Sequence, residues 1–395
     1  MDPRLYEEKA ELSALCSMPG ATPSRVLELF TVFGSPAAAW EAVGRGLPAG
    51  VAGADRADRW RRWAREVDPA SRLRGFEAIG VCVVAAGEPL YPALLAETHY
   101  PPLVLYRRGE LPDPLTPAVA VVGSRKATPY GLEVSRWFAR ELAERGIIVV
   151  SGAAYGIDSA AHRGALEAGG RTVSVLGCGP DIAYPRSNAG LFKEIEQSGC
   201  VLSEYPPGTR PNKPHFPARN RIIAGISLGV AVIEAAAGSG ALLTAEFALS
   251  EGREVMAVPG GILSPCSAGT NGLIRNGAAL VAHPDDILTD LGLLSDRLFS
   301  DRAGCARGST SEGPDPGGFS RGPGGEATGR DGLFLEALTR GAADIEEMSR
   351  RVGATAAETM SALARLEVGG LVRRGAGGIY HPAARACPQS RPHRK

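Results

Sequence analysis

Residues 118–152 read AVAVVGSRKATPYGLEVSRWFARELAERGIIVVSG, and this stretch decides the fold class. Its first five residues are an uninterrupted apolar run, which is typical of a strand buried on both faces of a sheet. Gly146 ends the helix that follows, and a second apolar run, IIVV, comes next. Strand, helix and strand of these lengths predict a parallel β–α–β unit. Four apolar side chains recur at helical spacing and define the buried face of that helix: Val134, Trp137, Phe138 and Leu142.

The same alternation continues to about residue 295. Apolar runs such as TVSVLG, CVLSEY, GVAVIEA and EVMAVPG alternate with helical segments that end at glycine. Two further short strands, VCVVAAG and LVLYRRG, are expected within 76–115. We therefore expect residues 76–295 to form an α/β domain with a doubly wound, mostly parallel sheet.

The regions on either side of this domain differ in composition. Residues 1–75 have the apolar spacing and turn residues of short helices, so we expect a helical domain. Residues 296–330 predict a flexible linker, because nine of the last thirty are glycine and few large apolar side chains are present. Residues 331–383 predict three helices and a hairpin, the pattern of a winged helix. Residues 384–395 form a basic tail.

Overall composition excludes several classes of protein. Lys+Arg and Asp+Glu number 43 each, so any nucleic-acid binding must come from a local basic patch. The seven cysteines are dispersed and form no CxxC pair, which indicates a reducing cytoplasm. The N-terminus lacks the pattern of a signal peptide, and no apolar run reaches the roughly 18 residues of a membrane span. We expect a cytoplasmic protein without membrane contact.

The loops after the strands indicate a ligand that carries phosphate. Ligands of open α/β sheets bind at the carboxyl ends of the strands, near the point where strand order reverses. No P-loop, no GxGxxG turn and no metal-binding motif is present, so we expect no cofactor and no metal. Asp158 is interpreted as a helix cap or a ligand residue, and His162 as a packed or surface side chain rather than a catalytic one. The charged residues of these loops are mostly cationic: Arg125, Lys126, Arg186, Arg210, Lys213, Arg219 and Arg221.

The segment PNKPHFPARNR, residues 211–221, carries the most specific signal. Its prolines reduce the entropy lost on binding, its cations suit phosphates, and Phe216 offers a ring on which a base can stack. Basic residues beside an aromatic ring favour single-stranded nucleic acid. Arg219 and Arg221 lie about 200° apart around a helix, so they should face different ways. One is expected to bind phosphate and the other to brace the loop or pair with an acid such as Glu234.

Several ordered motifs resemble the DNA-processing protein A (DprA/Smf) family over about residues 90–290. They are VGSRKATPYG, SGAAYGID, VLGCGPDIAYPRSN, SEYPPGTRPNKPHFPARNRIIAGIS, EAAAGSGALLTAEFAL and VPGGILSPCSAGTNGLIRNGA. The resemblance implies an extended Rossmann-like core, a SAM-like or helix-hairpin-helix-like N-terminal domain and a C-terminal winged helix. It implies a homodimer that binds single-stranded DNA, protects incoming strands in natural transformation, helps load RecA recombinase, and displaces or bypasses single-strand-binding protein.

The resemblance also implies which residues contact DNA, and it implies no enzymatic activity. The glycines of SGAAYGID and GSGALLTA are expected to shape the same DNA-binding pocket. The alternative is a nucleotide N-glycosidase or phosphoribohydrolase, with Glu246 and Asp158 as candidate acids or bases. A transcription regulator acting through the winged helix is a third possibility, but its third helix has only Arg365 as a basic residue. The wing carries Arg373 and Arg374, and its partner stays open between duplex DNA and protein. The implied site comprises Ser124, Arg125, Gly152, Gly156, Lys213, Phe216, Arg219, Asn220, Arg221, Gly238 and Gly240.

Overall fold

The structure is a computed structural model of the 395-residue chain. It describes residues 3–48, 50–293, 330–339, 344–355, 358–360, 362–363, 366, 371–374 and 380–382. The chain divides into two compact units, 1–306 and 307–395, and each is described by itself. Most of the predicted linker and the whole basic tail lie outside the described residues.

Five helices open the first unit, as the sequence predicts for residues 1–75. Thr22, Ser35 and Asp68 each cap a helix with the side chain, and proline follows each of them. Trp60 is fully buried at the centre of this helical cluster, and its indole N–H donates to the Pro19 carbonyl at 3.1 Å. The helices are α1 (Pro3–Cys16), α2 (Pro23–Phe33), α3 (Pro36–Arg45), α4 (Ala54–Glu66) and α5 (Pro69–Ala78).

A nine-stranded sheet forms the rest of the first unit and confirms the predicted α/β class. Its strand order is β1-β2-β6-β5-β4-β3-β7-β8-β9, so the order reverses between β3 and β7. The pairs β1–β2 and β2–β6 are antiparallel, and every other pair is parallel. The strands are β1 (Cys82–Ala85), β2 (Val104–Gly109), β3 (Ala118–Val122), β4 (Ile148–Ser151), β5 (Thr172–Leu176), β6 (Cys200–Ser203), β7 (Gly229–Val232), β8 (Glu254–Ala257) and β9 (Ala279–Leu280).

Helices cover both faces of this sheet. Ile222 and Ala245 pack in one core cluster, whereas Phe138 and Ile157 pack in the cluster on the other side. Burial on both faces explains why the parallel strands are continuous apolar runs. The helices are α6 (Ala93–Ala96), α7 (Pro129–Glu144), α8 (Ile157–Glu167), α9 (Ala189–Ser198), α10 (His215–Ile226), α11 (Gly240–Ser250), α12 (Ala268–Arg275) and α13 (Pro284–Asp290), with 3₁₀ turns at Arg186–Asn188 and Pro265–Ser267.

The described part of the second unit has the order of elements predicted for a winged helix. It contains α14 (Arg330–Thr339), α15 (Ile345–Val352), helical residues between 358 and 366, and the antiparallel pair β10 (Val372–Arg374) and β11 (Tyr380–Pro382). Arg330 belongs to a helix although the predicted linker includes it, and Arg365 lies outside the described residues. A small core unites these elements, with Phe334, Leu338, Met348, Leu363 and Tyr380 buried.

None of the described helices, taken singly, is long and apolar enough to cross a membrane. The pair α2 and α3, bent by 93° at the break between them, meets the length and composition criteria only when the two are joined.

Candidate functional site

An open cleft of about 520 Å³ lies at the carboxyl ends of the strands, where the strand order reverses between β3 and β7. This is the position at which open α/β sheets bind ligands. The loop after β3, the first turns of α10 and the start of α11 supply most of its walls. Its lining includes Arg125, Ala154, Asp158, Tyr184, Lys213, Phe216, Arg219, Asn220, Gly240 and Thr244.

Two stacked aromatic rings stand in one wall of the cleft. The Phe216 and Tyr184 ring centroids are 5.3 Å apart with 28° between the ring planes. Phe216 is half-buried, whereas Tyr184 is 45% exposed. The Arg125 guanidinium lies over the Phe216 ring at 5.5 Å from its centroid. Tyr184 was not among the residues predicted from the sequence, although it lies within VLGCGPDIAYPRSN, one of the motifs that carry the family resemblance.

Two of the residues that line the cleft are cations exposed to solvent. Arg125 and Lys213 are both exposed, and neither forms an ion pair with any residue that the structure describes. They line the same cleft as the ring pair, from the loop after β3 and from the turn before α10. A rigid ring surface between unpaired cations suits a ligand with both a flat apolar group and an anionic group.

Arg219 also lines the cleft, but its side chain is engaged inside the protein. Only 4% of the residue is exposed. Its guanidinium donates to the carbonyls of Gly152, at 3.0 Å, and Val175. Burial lowers the pKa of Arg219 to about 10, and the charge of Asp158 opposes that shift. Burial likewise raises the pKa of Asp158, while Arg219 lowers it. The two residues therefore stabilise each other's charge beneath the cleft.

Arg221 is occupied on the other side of α10. It pairs with Glu204 and donates to the Tyr100 carbonyl at 2.8 Å. Arg219 and Arg221 face different ways, as predicted. The acid that pairs with Arg221 is Glu204, so the prediction of Glu234 as the partner was wrong. Glu234 instead accepts hydrogen bonds from the backbone N–H and the hydroxyl of Thr128, both at 2.8 Å, and so fixes the start of α7.

The small residues of the predicted site shape the loops. The Ser124 hydroxyl accepts a bond from Lys126 N at 3.1 Å, and Asn220 Nδ2 donates to the Gly240 carbonyl at 3.2 Å. A methyl group on Gly152 would lie 2.5 Å from the Arg219 guanidinium. Gly156 has φ +78°, and a methyl group there would lie 2.2 Å from the Ser124 carbonyl oxygen.

Of the remaining two glycines, Gly238 lies in the loop before α11 and Gly240 is the first residue of that helix. Gly238 has φ +75°, so a side chain there would be strained, and a methyl group on either Gly238 or Gly240 would meet no heavy atom within 4 Å. Gly240 is also one of the cleft-lining residues.

The candidate catalytic residues are not brought together. Glu246 is exposed on α11 and is absent from the lining of the cleft. His162 is fully buried, and its Nδ1 lies 2.7 Å from the Thr172 hydroxyl. Burial lowers the pKa of His162 to about 3, so the ring is neutral at physiological pH. Asp158 is buried at the cleft lining and Glu246 does not line the cleft, so the two candidate residues are not brought together there.

Comparison with known proteins gives two family matches. The model for DNA recombination-mediator protein A matches residues 82–292. The model for the DprA winged helix domain matches residues 327–378. The first covers more than half of the chain, and the second lies within the C-terminal unit.

Individual relatives agree with these matches. A relative from Mycobacterium tuberculosis is 42% identical over 274 residues, a match that covers 68% of this chain and 66% of the relative. DNA processing protein DprA of Streptococcus pneumoniae is 46% identical over 200 residues, which cover 51% of this chain and 71% of that protein. The X-ray structure of the pneumococcal protein superposes with a TM-score of 0.61 at 35% identity, covering 71% of this chain and 97% of that one.

Proposed function

The chain belongs to the DNA recombination-mediator protein A (DprA/Smf) family, and we propose that it binds single-stranded DNA in the cleft between β3 and β7. One observation carries the proposal: the unpaired cations Arg125 and Lys213 flank the Phe216–Tyr184 ring pair in that cleft. Phosphates neutralise such cations with release of counterions, and unpaired bases stack on exposed rings.

The same geometry favours a single strand over a duplex. Stacking on Phe216 or Tyr184 requires a base whose face is free, and bases inside a duplex are already stacked on each other. Asn220 lines the cleft and Ser124 directly precedes Arg125, so we propose both as polar contacts to the DNA backbone. Arg219 and Arg221 act in this proposal as positioning residues for α10, because both already have internal partners.

The family supports a wider role as a recombination mediator. We propose that the protein protects incoming single strands during natural transformation and helps to load RecA recombinase where single-strand-binding protein competes. We further propose that it works in the cytoplasm as a homodimer and without substrate turnover. The described residues that line the cleft supply cations and aromatic rings, and their one carboxylate, Asp158, is buried. The winged helix adds a second contact, with duplex DNA or protein.

Fluorescence anisotropy with a labelled oligothymidine tests the site. Phe216→Ala should weaken binding by roughly 1–3 kcal/mol through the loss of stacking. Lys193→Ala is a suitable control for charged variants, because Lys193 is an exposed lysine on α9 that does not line the cleft. Equal affinity for single and double strands, or an unchanged affinity in Phe216→Ala, would refute the assignment.

Two further assays test the role. RecA-dependent strand exchange on DNA coated with single-strand-binding protein should rise when the wild-type protein is added and should not rise with Phe216→Ala. Incubation with nucleoside monophosphates should release no free base. Release that disappears in Glu246→Gln would instead support the glycosidase alternative.

A further inference from the structure

A second concave surface begins where the proposed DNA cleft ends. It is a groove of about 810 Å³ along the outer sides of α7 and α8. A small recess of about 100 Å³ lies between the groove and the cleft. Tyr184, Phe216 and Arg125 line both the recess and the cleft, and Tyr155 lines both the recess and the groove. The three concavities therefore form one continuous path across the surface.

The groove has the chemistry of a further nucleic-acid contact. Three arginines line it, Arg136, Arg140 and Arg163, against a single acidic lining residue, Glu133. Arg136 is paired with Glu167, and Arg140 lies 3.9 Å from Glu141.

Arg163 and Tyr155 are the groups of the groove that are most available to a ligand. Arg163 is exposed and forms no ion pair with the residues that the structure describes. Tyr155 is 52% exposed at the junction of recess and groove, and its hydroxyl accepts a bond from Ser187 at 3.3 Å.

We propose that a single strand leaving the cleft crosses Tyr155 and continues in the α7–α8 groove. Arg163 binds a phosphate there, and the Tyr155 ring supports a base at the junction. The strand is the favoured occupant because the groove adjoins the recess that borders the cleft, and three of its four charged lining residues are arginines. This inference rests on the proposed function and extends its site, since it makes the footprint on DNA longer than the cleft alone.

The length of the oligonucleotide separates the two parts of the path. An oligothymidine of about six nucleotides should fill only the cleft, whereas one of about twenty should also reach the groove. Arg163→Glu should weaken binding of the longer probe roughly tenfold. It should also reduce the salt slope, which is the slope of log affinity against log salt concentration, by about 0.7, the value for one phosphate on a single strand. The same variant should leave binding of the shorter probe unchanged.

Matched variants complete the experiment. Lys193→Glu makes the same change of charge at an exposed position outside the path and should leave both probes unaffected. Tyr155→Ala should weaken only the longer probe, while Arg163→Lys should retain most of its binding. A loss of equal size at both lengths, or no loss at either, would overturn the extension and leave the cleft assignment intact. Failure of wild-type protein to bind either probe would refute the cleft assignment and the extension together.

Discussion

Replacement of Arg219 by methionine tests whether this arginine holds the site together or binds DNA itself. Methionine keeps much of the length and apolar volume of the side chain but removes the guanidinium. The variant loses the bonds to the Gly152 and Val175 carbonyls and a bond of 3.3 Å to Asn220 Oδ1. It also removes the larger of the two cationic influences, from Arg219 and Arg125, that favour the charge of the buried Asp158 carboxylate.

The magnitude follows from this burial. Each buried hydrogen-bond acceptor that loses its donor costs about 1–3 kcal/mol, because it stays desolvated. A domain has only about 5–15 kcal/mol of stability in total. Arg219→Met should therefore lose a large part of the unfolding free energy. Adding Asp158→Asn should recover part of the loss, with a coupling energy of about 1–3 kcal/mol.

Urea unfolding followed by tryptophan fluorescence measures the stability term. Trp137 on α7 is half-buried beside the fully buried Phe138 of the sheet core and reports on this domain. Anisotropy titrations of an oligothymidine at several salt concentrations measure the number of phosphates bound. With Arg219 as a positioning residue, folded Arg219→Met keeps the salt slope of the wild type.

The opposite result would refute this reasoning. If Arg219→Met unfolds at the same urea concentration as wild type but lowers the salt slope by about 0.7, then Arg219 contacts a phosphate directly. An absence of coupling between Arg219→Met and Asp158→Asn would also contradict the electrostatic interaction between these two buried residues.

Three further predictions follow from other contacts. Lys213→Ala should lower the salt slope by about 0.7 across DNA sequences, whereas Lys193→Ala should not; equal slopes in the two variants would contradict the phosphate contact. Gly156→Ala should destabilise the fold by about 1–3 kcal/mol, since φ is +78° and the new methyl meets the Ser124 carbonyl; a melting temperature equal to that of wild type would show otherwise. His162 should make the protein less stable as the pH is lowered from about 6.5 to about 3. In this range the unfolded state binds a proton that the buried ring of the folded state does not bind. The loss should reach about 2 kcal/mol at pH 5 and be absent in His162→Asn, as measured by urea unfolding at both pH values.

The sequence predicted most of the architecture because its signals are local. Apolar runs bounded by glycine marked β3 to β8, and the spacing of Phe138 and Leu142 marked the buried face of α7. The two-residue strand β9 was missed, since Ala279–Leu280 is too short for any periodicity. The segment 211–221 is only partly a loop. Helix α10 begins at His215, so His215, Phe216 and Pro217 are already helical.

Only the tertiary structure shows which of the cations are exposed and which have partners inside the protein. From the sequence, Arg125, Lys213, Arg219 and Arg221 are equivalent basic residues in loops that face one edge of a sheet. The carbonyls that bind Arg219 belong to residues 67 and 44 positions away, and the acid that pairs with Arg221 lies 17 positions away. Tyr184, in the loop after β5, likewise stacks on Phe216 of α10, which is distant in sequence. Composition and periodicity determine that a basic, aromatic cleft forms, but which charges stay free depends on long-range contacts that bury some and leave others in solvent.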